Sequence, residues 1–409
     1  MPPAAPPEQS ASSTLFVVTP PTPFPPTATT PEVLRCRVNR DALVPILALL
    51  QSVAEKRSPL PILTHVCIAS HVSGYLEFRA TDLEIGLRCR CPATVTSAGS
   101  CTVEARRLYD IVRALPAGEV ELTSSTTDGV ATDLTLRCNK SRFRLMSLDP
   151  REFPQLSTPR ADLVTFALPV STLRTMIDHT LFCAGTDESR PNLNGVLCTR
   201  REPDTFAMVA SDGHRLALIE RAVPGLPATL ASLLLPVNGM AEARTLLDGT
   251  TEEMVTVGLS TSLATLTVGH TTLTLRLGAV DFPEYHVILT MPHPHHLSVG
   301  RTDLLAAVRR LLVLTTERAR GVTLTIRPEV MELSVATGDI GEGTEEVSIV
   351  YTGPPMTLGF NARYLLDLLA AVEPAAHVML ELNEPTTPAL LRTESDDGYR
   401  YVVMPMRVF

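Results

Sequence analysis

Apolar residues recur at helical spacing in six stretches of the chain, and short apolar runs broken by turn residues fill the intervals between them. The spacing predicts helices over 39–54, 103–115, 171–184, 238–247, 302–315 and 361–372. In the first, Leu43, Ile46, Leu47, Leu50 and Val53 share one face, and Asn39 or Asp41 can cap its start. Pro45 lacks an N–H about one turn in and predicts an irregular beginning. In the second, Leu108, Ile111, Val112 and Leu115 line up. Asp248-Gly249 stops the fourth. Strands are expected at 33–38, 60–69, 119–123, 131–138, 143–148, 193–198, 253–259, 262–268, 271–277 and 322–326. A further strand closes on 211–218.

The elements come in a repeating order of helix, charged corner and strand. The corners are Glu55-Lys56-Arg57, the stretch 186–190, and Glu317-Arg318-Ala319-Arg320. Asn39 to Ser171 is 132 residues and Ser171 to Thr302 is 131. Phe153-Pro154 returns as Phe282-Pro283 after 129. A period this long marks a repeated domain rather than a solenoid unit. The reading is an α+β chain of three domains, 33–158, 159–292 and 293–409, each with two helices and six to eight antiparallel strands. The third copy ends on the apolar run 401–409, whose simplest destiny is to pair into the third sheet.

Residues 1–32 carry ten prolines, two acids and no base. That composition predicts a disordered tail and lacks the basic start of a signal peptide. A second reading has translation beginning near Val33. No run approaches ~18 uninterrupted apolar residues, so no membrane span is expected. The net charge of −9 argues against a plainly basic nucleic-acid binder. The six helix-plus-corner segments nevertheless sum to +2, leaving −11 for the rest, so the helices form the less acidic surface.

Catalytic chemistry finds little support. Neither GxxxxGK[ST] nor GxGxxG is present, and no G-x-S-x-G exists. Asp212-Gly213-His214-Arg215 has a catalytic look, but its counterpart Asp82-Leu83-Glu84 has no histidine. The copies share shape and no common chemical group, which points to a scaffold. The eight cysteines form no CxxC, and reduced core thiols in a cytosolic protein are the expectation. Cys89-x-Cys91 and the linker histidines His293, His295 and His296 lack the usual company of ligands, so no metal or other cofactor is expected.

Pro59-Leu60-Pro61-Ile62-Leu63, Thr81-Asp82-Leu83-Glu84, Leu193-Asn194-Gly195, Ser211-Asp212-Gly213-His214-Arg215-Leu216, Asp281-Phe282-Pro283, Gly359-Phe360-Asn361 and Tyr401-Val402-Val403-Met404-Pro405-Met406-Arg407 together resemble the bacterial DNA polymerase III beta subunits, the sliding clamps. The resemblance spans 33–409. It implies a head-to-tail homodimer closed into a ring of six domains, with helices around a hole for duplex DNA held without sequence specificity. It implies a processivity factor of the bacterial cytoplasm, opened by a clamp loader and without catalysis of its own. The DNA polymerase III alpha subunit and other clamp-binding-motif proteins would dock peptides into one pocket per subunit. Carried over by motif, that pocket uses Leu193, Ser211, Gly213, His214, Arg215, Leu216, Pro283, Asn361, Tyr364, Val402, Val403, Met404, Pro405, Met406 and Arg407. Val287 replaces an arginine found in some clamps, and Phe409 adds an aromatic at the pocket edge. Phe143, Val313 and Leu314 fall at the implied subunit contact. Lys56, Arg57, Arg190, Arg318 and Arg320 are candidates for phosphate contact. A clamp-like recruitment scaffold that does not track DNA is the alternative.

Overall fold

The computed structural model describes residues 33–157, 163–316, 320–374 and 376–407. The tail, Arg318 and Phe409 lie outside the described residues. The first repeat comprises β1 (Arg35–Asn39), α1 (Arg40–Val53), β2 (His65–His71), β3 (Tyr75–Thr81), β4 (Ile85–Pro92), β5 (Thr94–Ser97), β6 (Ser100–Glu104), α2 (Ala105–Ala114), β7 (Glu119–Thr127), β8 (Val130–Cys138) and β9 (Ser141–Met146). The second comprises β10 (Val164–Pro169), α3 (Val170–Thr180), β11 (Gly195–Arg200), β12 (Thr205–Ser211), β13 (Arg215–Ala222), β14 (Leu233–Pro236), α4 (Val237–Asp248), β15 (Met254–Leu259), β16 (Leu263–Val268) and β17 (Thr271–Arg276). A one-turn helix α5 (His286–Leu289) lies in the linker. The third comprises β18 (His295–Gly300), α6 (Arg301–Leu312), β19 (Gly321–Arg327), β20 (Val330–Thr337), β21 (Gly341–Val350), β22 (Met356–Asn361), α7 (Ala362–Ala371), β23 (His377–Leu382), β24 (Ala389–Thr393) and β25 (Asp396–Val403).

All six sequence-predicted helices form. Asn39 caps α1 by accepting from the amides of Asp41 and Ala42 at 2.8 and 3.4 Å. Pro45 does not disturb the helix, because that cap fixes the first turn while Leu43, Leu47, Leu50 and Val53 anchor the buried face. Four further expectations change. Residues 61–64 and 191–193 are 3-10 turns rather than the starts of strands, since prolines 61 and 191 cannot donate into a ladder. The third helix ends at Thr180, and Leu181–Cys183 tightens to 3-10. The strand expected to close on 211–218 is split at 212–214 by a tight turn between β12 and β13. The first repeat also gains the short β5, bringing it to nine strands among the described residues.

The sheets ignore the repeat boundaries. A five-stranded sheet runs β5-β1-β7-β8-β9, an eight-stranded one β10-β15-β16-β17-β4-β3-β2-β6, and a twelve-stranded one β14-β11-β12-β13-β25-β24-β23-β18-β21-β20-β19-β22. Two antiparallel pairings carry them from one repeat to the next. Strand β17 pairs with β4, from Thr271 opposite Cys89 to Leu275 opposite Ile85. Strand β25 pairs with β13, from Arg215 opposite Val403 to Ile219 opposite Tyr399. The terminal strand therefore pairs on both sides, with β24 in its own repeat and with β13. In each case the last strand of one repeat meets the fourth strand, or its counterpart, of the repeat before it. The third pair of this kind is unmade within one chain. The β9 edge is open, and residues 341–347 of β21 pair only with β20.

The helices pack as the pairs α1 with α2, α3 with α4 and α6 with α7, while α1 also meets α4 and α3 meets α7. They thus stand in one row, α2-α1-α4-α3-α7-α6, on one face of the sheets. Between α1 and α4 the Ser52 hydroxyl donates to Glu242 at 2.6 Å. Burial pushes the Glu242 carboxyl up from its ordinary range, and that hydroxyl works the other way. The main core lies between helices and sheets, and the eight cysteines are free and buried. Cys89 and Cys91 share the core-facing side of β4, where burial pushes their thiols up to about 12 and about 11. Among the described residues no group of three His, Cys, Asp or Glu is placed to hold a metal. His293 is buried with its Nε2 2.9 Å from the Pro388 carbonyl. No described helix is long and apolar enough to cross a membrane.

Candidate functional site

The stretch 211–215 is a hairpin turn whose polar side chains are used up locally. Asp212 accepts from the amides of His214 and Arg215 at 2.9 and 3.0 Å. Ser211 donates to the Arg215 carbonyl at 2.7 Å and accepts from the Gly213 amide. Gly213 takes φ of +88°, a left-handed conformation that suits glycine. The first repeat builds the same turn. Thr81 donates to the Ile85 carbonyl, Asp82 accepts from the Glu84 and Ile85 amides, and Leu83 takes the left-handed position at +80°. The chemistry of these residues goes into shaping the turn.

Above this turn, on the sheet face opposite the helices, lies a second small core. It buries Leu197, Ala207, Val209, Leu216, Leu218, Tyr285, Leu390 and Val402, with Phe282, Ile288 and Leu289 packed over it. The lid is the linker from Phe282 through α5. Between lid and sheet opens a cavity of about 160 Å³ whose walls include Leu193, Leu216, Phe282, Pro283, Ile288, Val402 and Met404. Ser211, Gly213, His214, Arg215, Glu284 and Tyr285 complete its lining. Apolar walls with a few fixed polar groups are what an extended ligand with apolar side chains requires.

Arg215 locks this site across the repeat boundary. Its guanidinium reaches Asp212 at 3.0 Å, Asp367 of α7 at 2.8 Å and the Phe182 carbonyl at 2.6 Å. It also lies 4.4 Å from the centre of the Tyr364 ring. The Met404 amide donates to the His214 carbonyl at 2.8 Å, which pins the segment after β25 to the turn.

The structure brings together Leu193, Ser211, Gly213, His214, Arg215, Leu216, Pro283, Val402 and Met404 at the cavity. Tyr364 joins through Arg215. Val403 does not join, because successive strand residues face opposite sides and its side chain packs in the main core with Tyr401. Asn361 caps α7 by accepting from the Arg363 amide at 3.0 Å. Pro405, Met406 and Arg407 continue past the cavity, with the Met406 amide bonded to the Gly359 carbonyl. Sequence reasoning missed Phe282, Glu284, Tyr285 and Ile288. The repeat of Phe-Pro marked the linker, but nothing in it signalled that α5 folds back over the sheet.

Lys56, Arg57 and Arg320 are exposed at the corners. Arg190 differs, being paired with Asp187 at 3.2 Å and approaching the pocket turn at Gly213. A wider cleft of about 470 Å³ lies beside the α1–α2 pair, and its lining includes Glu55, Lys56, Glu104, Arg106, Asp110 and Arg113. At the open edges, Phe143 of β9 is 40% exposed and Val313 78%. Leu314 is half-buried and lies against Gly343 of β21. Met146 and Ile340 are further exposed apolar side chains there, which the motifs did not mark.

Three end-joined α+β domains, a continuous helix row, unmade strand pairs at both ends and an apolar groove on the outer face define a ring-forming, peptide-docking scaffold. Family models of the DNA polymerase III beta subunit match in sequence, the N-terminal domain at 34–157, the central domain at 167–284 and the C-terminal domain at 288–407. The beta sliding clamp of Caulobacter vibrioides is 32% identical over 379 residues, covering 92% of this chain and 100% of the relative. That of Pseudomonas putida is 33% identical, covering 91% and 99%. Among solved structures, the DnaN sliding clamp of Bartonella birtlesii bound to griselimycin is similar with a TM-score of 0.87 at 30% identity, covering 92% and 100%. The Thermotoga maritima beta subunit is similar at 0.84 and 27%, with the same coverage. The chain belongs to the DNA polymerase III beta-subunit family, the sliding clamps of DNA replication. Its role is processivity without catalysis. Its partners are DNA, the polymerase, other clamp-binding proteins and a second copy of itself. Matches in all three domains favour this over a scaffold that does not track DNA.

Proposed function

We propose that two chains close the ring by pairing the open edge of β9 in one with the open stretch of β21 in the other. The observation that carries this is the twice-repeated joint, β4 with β17 and β13 with β25, for which β21 and β9 are the third instance. Charge supports it, since β9 presents Arg142 where β21 presents Glu342 and Glu346, while Arg144 and Glu345 are paired within the chain with Asp133 and Arg310. Phe143, Val313 and Leu314 would be buried at that joint. The domains run 33–158, 159–292 and 293–409, and the protein acts in a bacterial cytoplasm. Duplex DNA passes through the hole that the helix row lines, and Lys56, Arg57, Arg190, Arg318 and Arg320 touch its phosphates. The cavity beneath Phe282 and α5 takes the apolar anchors of partner peptides, with Leu193, Leu216, Pro283, Val402 and Met404 as walls. Ser211, Gly213, His214 and Arg215 fix the turn beside it. Asn361, Tyr364, Val403, Pro405, Met406 and Arg407 support or extend it. Phe143→Lys with Val313→Lys tests the ring, because both side chains are exposed in one chain and buried only in the dimer. The double variant is expected to sediment as a folded monomer, since burying unpaired charges costs several kcal/mol. A persistent dimer would place the interface elsewhere.

A further inference from the structure

We propose that the outer face of the first domain carries a second docking site, in which Arg79, Arg88 and Arg90 take the carboxylates of an acidic peptide from a partner protein. The two strand joints within the chain present opposite chemistry on that face. At β13–β25 it is apolar, with Leu216, Leu218 and Val402 beneath the linker. Beside β17, the outward positions of β3 and β4 include Glu77, Arg79, Arg88 and Arg90, because the alternate residues Leu76, Phe78, Leu87 and Cys89 fill the main core. The linker that follows the first domain lies over this face too. Leu156 meets Gly86, and the Arg79 guanidinium lies 5.9 Å from the centre of the Phe153 ring.

Register sets Arg79 opposite Arg88 and Glu77 opposite Arg90. The Glu77 carboxylate stands 3.8 Å from Arg79 and 3.9 Å from each of Arg88 and Arg90. Three guanidiniums and this one carboxylate sum to +2, in a chain whose net charge is −9. Like charges directly opposite one another weaken a sheet, so Arg79 facing Arg88 does not serve stability. Burial pushes the Arg88 guanidinium down from its ordinary value; Glu77 opposes that shift, and Arg79 and Arg90 add to it. Donors also exceed acceptors here. Nε of Arg79 and Nε2 of the neighbouring His71 are buried with no hydrogen-bond partner among the described residues. Arg79 and Arg88 keep 13% of their side-chain surface exposed and Arg90 26%, so the charge is concentrated but reachable. Carboxylates fit the planar guanidinium fork. The helices α1 and α2 stand on the opposite face, away from these arginines, so duplex in the hole does not reach them. An acidic segment is repelled by most of this acidic chain and steered to its positive patch. The exposed Val72, in the turn between β2 and β3, offers such a peptide an apolar neighbour.

The test titrates a rhodamine-labelled hexaglutamate peptide with the full chain by anisotropy, at low salt and at about 0.5 M salt. Hexaglutamate is expected to bind, to weaken with salt, and to bind at least tenfold more tightly than hexaglutamine. R79Q/R88Q is expected to weaken it at least tenfold while keeping the melting temperature and the affinity for a peptide from the polymerase alpha subunit. Arg90→Gln, at the most exposed of the three, is expected to weaken it at least threefold and stands in should the double variant fail to fold. Met404→Lys in the apolar pocket is expected to abolish binding of the polymerase peptide and leave hexaglutamate unaffected. Hexaglutamate affinity that survives the arginine variants overturns the proposal and leaves the pocket standing. So does a loss produced instead by Met404→Lys, or by Lys56→Ala, Arg57→Ala and Arg320→Ala at the helix corners. An oligo-dT of equal charge, or inorganic phosphate, that binds through the same arginines more tightly than the peptide overturns the peptide as occupant.

Discussion

At the scale of single residues, the polar side chains that look reactive in the sequence act as structural clamps. Asp212 is spent on two amides and Arg215, and Ser211 on a carbonyl. Asp133 shows the same economy near the ring-closing edge. Its carboxylate is 1% exposed and meets Arg144 at 2.6 Å and the Ser125 hydroxyl at 3.0 Å. The Arg144 hydrogen bond holds its pKa below the ordinary 3.8, with help from Ser125 and against the effect of burial. A depressed carboxylate stabilises the fold fully above its unfolded pKa, and that contribution is lost as pH falls through the lower folded value. Asp133→Asn is therefore expected to cost about 1 kcal/mol at neutral pH. It is also expected to flatten the loss of melting temperature below pH 4. Parallel acid-side melting curves for both proteins would contradict this.

At the scale of elements, the segment after β25 is the informative one. Its amides at Met404 and Met406 bond to the His214 and Gly359 carbonyls, so it is tied to both the second and the third domain. It adds no strand to the sheet beyond Val403. Deleting residues 404–409 is expected to leave dimer and DNA retention unchanged and to weaken a partner peptide at least a hundredfold. Calorimetric titration on the truncated ring decides it, and unchanged affinity would remove this segment from the site. The helices belong to the same scale. Hydrophobic spacing located all six because their faces pack locally against their own sheets.

At the scale of the whole molecule, a chain of net charge −9 encircles a polyanion. The physical resolution is segregation, with the less acidic helix segments in one row and most of the acid elsewhere. Contacts to phosphates release counterions, so their number sets the salt dependence of binding. Lys56→Ala, Arg57→Ala and Arg320→Ala combined are expected to weaken retention on circular DNA equally for unrelated sequences. The slope of log affinity against log salt is expected to fall by about one for each phosphate that is no longer neutralised. An unchanged slope, or a loss confined to one sequence, would contradict contact at these corners.

The sequence by itself determined the repeat and the six helices, because each depends on residues near one another in the chain. Leu43, Leu47 and Leu50 announce a helix face wherever they are placed, whereas the turn at Asp212-Gly213, read in the sequence as part of a strand, emerged only in the structure. The sequence also marked Leu216, Val402 and Met404 as members of one site through their motifs. Only the tertiary structure decided that Val402 faces the pocket while Val403 faces the core, since that follows from the register of β25 against β13. Only it showed that Phe282, Tyr285 and Ile288 close over the outer sheet. The two strand joints between domains were likewise invisible in the sequence, for backbone pairing between distant segments leaves almost no side-chain signature. The same is true of the open edges of β9 and β21, where the third such joint is proposed.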